Sequence, residues 1–109
     1  MVKVDQAFMR SLNRPIILWL LSQRPRHGYS IIKEFMRLTG RRLKPSMVYP
    51  FLHWLEEKDF AVSEWVVEGK RRIKYYSLTK KGEALLSKLR DFFQRPISEV
   101  LTSLLINRK

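Results

Sequence analysis

The order of periodic segments predicts a mainly α chain with one small β-hairpin, an α+β class, in the order α-α-α-α-β-β-α. Three observations carry that expectation. Apolar residues recur at helical spacing, first in Ile31, Ile32, Phe35 and Leu38 and then in Val48, Leu52 and Leu55. Phe60 to Val67, rich in aromatic and β-branched residues, is joined by the turn Glu68-Gly69-Lys70-Arg71 to a second strand-like run, Arg72 to Leu78. A closing apolar stripe then passes through Leu85, Leu86, Leu89, Phe92 and Phe93. At 109 residues the chain fits one domain with a modest core, and a 45% hydrophobic content argues against disorder.

The elements follow in order. Val4, Phe8 and Leu12 share one face of a first helix, with Asp5 as its N-cap and Val4 and Met9 placed to form a hydrophobic staple. Asn13-Arg14-Pro15 reads as a stop and a restart, because proline suits a first helical turn. The helix after it, Pro15 to Ser22, is apolar on nearly every side, which predicts burial. Arg24-Pro25-Arg26-His27-Gly28 is a turn, with His27 part of its architecture, and the helix from Tyr29 stops at Gly40. Beyond a basic connector, Ser46 is expected to N-cap the next helix, which places Pro50 at the fourth helical position. Asp59 ends that helix. Thr79 caps the last one, and Pro96 is expected to kink it before Ile97, Val100, Leu101, Leu104 and Leu105 continue the stripe. Three helices and then a two-stranded hairpin is the winged helix-turn-helix order. The expected division is an N-terminal helix over 1–13, the winged unit over 14–80 and a C-terminal helix over 81–109.

Composition narrows the chemistry. The chain has no cysteine, and its two histidines, His27 and His53, are too far apart for a short metal-ligand pair, so no metal or other cofactor is expected. There is no phosphate loop, nucleophile elbow or spaced carboxylate pair, so no enzyme is expected. No apolar run approaches the ~18 residues that span a bilayer, and no signal-peptide layout opens the chain, which points to the cytoplasm. Lys and Arg number 22 against 10 Asp and Glu, a net charge of +12, and so strong an imbalance favours a polyanionic partner. The bases are also segregated. Arg37, Arg41, Arg42 and Lys44 precede the third winged-unit helix without an intervening acid. Lys70, Arg71, Arg72, Lys74, Lys80 and Lys81 surround the hairpin turn, again without one. The acids Glu56, Glu57 and Asp59 gather at the other end of the helix. This pattern supports nucleic acid over simple solubility.

Several motifs in order carry a family resemblance. They are Ile17-Leu18-Trp19-Leu20-Leu21, Pro25-Arg26-His27-Gly28-Tyr29, Tyr49-Pro50-Phe51-Leu52 with Leu55-Glu56-Glu57, and Tyr75-Tyr76-Ser77-Leu78-Thr79 with Gly82. From about Ile16 to Leu89 the chain resembles the PadR family of bacterial and archaeal transcriptional regulators. The resemblance implies regulators that dimerise through the helix after the wing, several of which bind small aromatic compounds near the dimer interface. Two departures are visible. Ser46-Met47 stands where the family usually has Gly-Thr or Gly-Ser, and Asp59-Phe60 where it often has Gly-Leu.

The expected partner is therefore double-stranded DNA, read by a regulator, expected to be a repressor, on a pseudo-palindromic operator. In a winged helix the third helix enters the major groove and the wing follows the backbone or the minor groove. Ser46, Met47, Tyr49, Pro50 and His53 are expected on the groove-facing side. Arg41, Arg42, Lys44, Lys70, Arg71, Arg72 and Lys74 are expected at phosphates or the minor groove. Tyr49 has two open roles, packing on the domain or reaching a phosphate, and His53 is expected to be solvated or at the core edge more than to read bases. The apolar stripes of the terminal helices predict a homodimer through Phe8, Leu12, Leu89, Phe93, Ile97, Val100 and Leu104. Trp19, Trp54 and Trp65 suggest a pocket for a small aromatic effector, although core filling is the commoner fate of tryptophan. The rival readings are a winged helix used for protein–protein contact and a non-specific DNA-coating protein. Membrane-surface binding is not expected, because few bases flank the tail stripe.

Overall fold

The computed structural model describes residues 10–94 and residue 100, the side chain of Phe93 excepted. Its elements are α1 (Asn13–Gln23), α2 (Gly28–Thr39), α3 (Pro45–Glu57), β1 (Ala61–Glu68), β2 (Arg71–Leu78) and α4 (Lys80–Gln94). The α+β winged-helix order read from the sequence is the observed one. The expected helix over Val4 to Leu12 and the kink at Pro96 lie outside the described residues, apart from the end of that first helix.

The three helices close on one core. Ile17 and Leu20 of α1, Ile31 and Phe35 of α2, and Val48, Leu52 and Leu55 of α3 are fully buried. Their i, i+3, i+4 spacing lets each helix present a single stripe inward. Leu43, set within the basic connector between α2 and α3, joins them at 2% exposure. On the other side of the core, Leu86 of α4 and Ala61 and Tyr76 of the hairpin complete the cluster.

Helix boundaries show which local signals dominate. Gly40 stops α2 in the left-handed region at φ 76°, its N–H returning to the Met36 carbonyl, as expected of a C-terminal glycine. The Thr79 hydroxyl accepts from the Gly82 N–H at 3.1 Å and donates to the Asp59 carbonyl at 2.6 Å, so one side chain starts α4 and ties it to the turn before β1. Two expectations are corrected. Helix α1 begins at Asn13, before the proline restart. Helix α3 has Lys44, not Ser46, at its N-cap and Pro45 at its first position. Proline's fixed φ can open the helix without a side-chain cap. Pro50 consequently sits deeper in α3 than expected, where it lacks the N–H that would reach back to Ser46.

β1 and β2 pair antiparallel from Ala61↔Leu78 to Glu68↔Arg71 around the two-residue turn Gly69-Lys70, with Gly69 at φ 64° as a type II′ turn requires. The outer edge of β2 is also bridged. Arg26 and Tyr76 exchange backbone hydrogen bonds of 3.0 and 2.8 Å. The Arg26 side chain, 7% exposed, donates from Nε to the Leu20 carbonyl and from an Nη to Gln23 Oε1, which anchors the wing base to the end of α1. Burial, then the neighbouring charge of Arg24, lowers the Arg26 pKa.

The tryptophans correct the core-filling expectation. Trp19, Trp54 and Trp65 are 40, 43 and 54% exposed, on α1, α3 and the wing. They line three separate concavities, so no common aromatic pocket forms among the described residues.

Candidate nucleic-acid interface

One side of α3 is buried through Val48, Phe51, Leu52 and Leu55, and the opposite side leaves Ser46, Tyr49, Pro50 and His53 exposed. Those four expected residues therefore share a solvent-facing strip. Met47 departs from the expectation: it is partly buried and packs against the core on the flank of the strip. Tyr49 is about half exposed, while its ring lies so close to Gly28 that a Cβ there would meet Cε1 at 2.3 Å. Both roles open to Tyr49 are compatible with that position, since the ring packs on α2 and the side chain stays accessible. His53 is solvated, with Nε2 3.4 Å from Oε2 of Glu57 one turn further on.

The cations separate into two sets. Arg42, Lys44, Lys70, Arg71 and Arg72 are exposed and have no acidic partner among the described residues. Other bases are engaged within the molecule. Arg41 donates to Asn13 Oδ1 at 3.0 Å and lies over the Phe35 ring. Arg37, at the end of α2, makes a 2.5 Å contact with Glu34, which holds that carboxyl below its usual range. Lys74, expected at phosphate, is placed differently from the free cations. Its ammonium lies 3.2 Å from Glu56 Oε1, next to the rings of Trp65 and Tyr76. The charge of Lys74 is thus largely answered from within.

Glu56 links α3 to the wing. The Ser63 hydroxyl donates to its Oε2 at 2.5 Å, and this bond, joined by Lys74, lowers the carboxyl pKa. Although burial opposes the charge on Lys74, its interaction with Glu56 raises that pKa overall. In the sequence Glu56 is only one acid of a cluster, because its partners lie seven and eighteen positions away on different strands. Likewise His27 supplies a reciprocal cap to α2: its Nδ1 accepts from the Ser30 N–H at 3.4 Å, and its own N–H donates to the Ser30 hydroxyl at 3.1 Å. The turn role expected of His27 is the observed one.

Among the expected dimer residues, Leu12 and Leu89 are partly buried on their own subunit, and residue 100 is 54% exposed. Leu12, Pro15, Ile16 and Trp19 face Leu86 and Leu89 across an open apolar concavity of about 330 Å³ between α1 and α4. Phe8, Ile97, Leu104 and the Phe93 side chain lie outside the described residues.

Among the described residues no cluster of side chains has the composition to hold a metal ion, and no helix is long and apolar enough to cross a membrane. The Thermoplasma acidophilum protein TA0346, solved as a transcriptional regulator, superposes with a TM-score of 0.77 at 27% identity over 94% of this chain and 99% of its own. A PadR family transcriptional regulator from Eggerthella lenta gives 0.74 at 25% identity, covering 95% of each chain. The Mycobacterium tuberculosis transcriptional regulator Rv3488 is 36% identical over 95 residues, 86% of this chain and 87% of that protein. The Escherichia coli transcriptional regulator YqjI is 34% identical over 80 residues, and the match spans 37% of that longer protein. These are transcriptional regulators and not enzymes. Residues 17–88, from the first core position of α1 into α4, match the Transcriptional regulator PadR-like family, and the chain belongs to that family.

Proposed function

We propose that the protein is a cytoplasmic, sequence-specific double-stranded DNA-binding regulator that acts as a homodimer and represses from a pseudo-palindromic operator. The observation that carries the reading is the exposed α3 strip flanked by acid-free cations: Arg42 and Lys44 before the helix, Lys70, Arg71 and Arg72 at the wing. Charges left uncompensated on one functional side favour a polyanion with repeating phosphates. The strip between them supplies base contacts, and the cations supply register and affinity. Ser46, Tyr49, Pro50 and His53 are assigned to the groove. Arg41, which is tied to Asn13, positions the connector.

The unit over 14–80 binds DNA in this reading, and the segments 1–13 and 81–109 join two copies. The apolar concavity between α1 and α4 supports that division, since it leaves Trp19 in solvent on a chain of modest size. A two-fold dimer would present two α3 helices about one helical turn of DNA apart.

The test is fluorescence anisotropy with duplex from upstream of the protein's own gene, against a scrambled duplex, over a salt series. Specific binding is expected to be on the order of a thousandfold tighter than non-specific binding, with two subunits per site. Equal, steeply salt-dependent binding to both duplexes would instead support a DNA-coating protein. Absence of binding at low salt would favour a protein–protein role.

A further inference from the structure

Trp65 is an exposed indole on a two-stranded hairpin, a costly place for a large aromatic ring. Register puts Trp65 beside Lys74 and Val67 beside Arg72, so all four side chains share one face of the wing. The Arg72 guanidinium lies over the indole, 4.6 Å from the ring centroid, and the Lys74 ammonium lies 5.8 Å from it. The two cations differ in one respect. Lys74 is also paired with Glu56, whereas Arg72 has no acidic partner among the described residues.

An arginine held by a carboxylate gives up charge and donors to it. One held by a ring face is fixed in direction and retains both. The stack also forms the wing-side wall of an open concavity of about 600 Å³, whose opposite wall includes Tyr29, Lys33 and Tyr49 from α2 and α3. A helix in the major groove and a hairpin over the adjoining minor groove must straddle the phosphate strand that separates those grooves. The concavity lies between the hairpin and the start of α2, with Tyr49 contributed by α3 and with Arg71 and Glu68 also in its wing-side lining.

We propose that this concavity seats a stretch of DNA sugar–phosphate backbone, and that Trp65 is a positioning residue which holds Arg72 ready for a phosphate there. The inference rests on the DNA-binding reading above. Holding the long side chain in advance removes an ordering cost that would otherwise be met on binding, equivalent to about three- to tenfold in affinity for one such side chain.

The experiment is a double-mutant cycle on the full chain, with Trp65→Ala, Arg72→Ala and their combination titrated against duplex over a salt series. Arg72→Ala is expected to weaken binding and lower the salt slope by about one per bound subunit. Trp65→Ala is expected to weaken binding about three- to tenfold per subunit with the slope unchanged, and to cost nothing further when Arg72 is already alanine. Should the alanine variant fail to fold, Trp65→Phe keeps a ring under the guanidinium and is expected to fall between wild type and Arg72→Ala. An equal loss on removing Trp65 in both backgrounds, or no loss at all, would overturn the positioning role while leaving DNA binding intact. A wild-type protein that binds no duplex would overturn the DNA reading and this inference with it.

Discussion

At the level of single residues, two glycines show how the same change has different consequences. A Cβ at Gly82 would lie 2.1 Å from the Phe60 carbonyl oxygen, a backbone atom fixed by the Thr79 N–H. Gly82→Ala is therefore expected to destabilise by roughly 1–3 kcal/mol, the range of core overpacking, and thermal melting will show it. The nearest atoms a Cβ at Gly28 would meet belong to the Tyr49 ring and hydroxyl, the far end of a side chain 47% exposed and able to swing outward. Gly28→Ala is expected to leave the melting temperature nearly unchanged while moving Tyr49 and altering affinity for duplex. Asp59 adopts φ 64°, the left-handed region, where the family often has glycine. Asp59→Gly is expected to be neutral or to stabilise by up to about 1 kcal/mol, because relief of that conformation is opposed by a more flexible unfolded chain. These positions differ in how visible they are beforehand. Gly40 and Thr79 are legible from local sequence because caps are local; Arg26, Leu43 and the neighbours of Gly28 depend on what the fold brings near them.

Between elements, the wing is attached to α3 through Glu56. Its pKa is depressed in the folded protein, so the stabilisation it contributes is complete above the ordinary value of 4.5 and lost as pH falls through the lower folded value. The raised pKa of Lys74 works in the opposite sense: its contribution is complete below the ordinary 10.5 and lost as pH rises through the folded value. A plateau between those limits is expected, with an acid limb that Glu56→Gln makes shallower in melting curves. Thr79→Ala, which removes both the cap of α4 and its bond to the Asp59 carbonyl, is expected to cost about 1 kcal/mol in denaturant unfolding. The elements themselves were readable because their periods and turn residues agree. The start of α3 was not, since Ser46 is as good a cap by type as Pro45 is a first residue, and only the backbone decides between them. The Lys74 pair was also hidden, because a run of bases looks uniformly free until a carboxylate from another element is packed against one of them.

For the molecule as a whole, charge and apolar surface make separate demands. A net charge of +12 favours a polyanion, while the concavity beside Trp19 favours a second copy of the chain. Trp19→Glu, at a position 40% exposed and outside the proposed DNA side, is expected to shift the protein towards monomer in light scattering and to weaken binding to a two-half-site duplex more than to a single half-site. That Trp19 and Trp54 are exposed could not be read from composition, for an apolar residue on an apolar helix is core by default until the helix has more faces than neighbours. The bridge between Arg26 and Tyr76 has a mechanical consequence. It clamps β2 near its root, as the Ser63–Glu56 bond does β1, while the Gly69-Lys70 end has no such fastening among the described residues. The hairpin is a cantilever. In the proposed DNA complex its root would set where it meets a duplex, leaving the tip as the part that could follow grooves of different width.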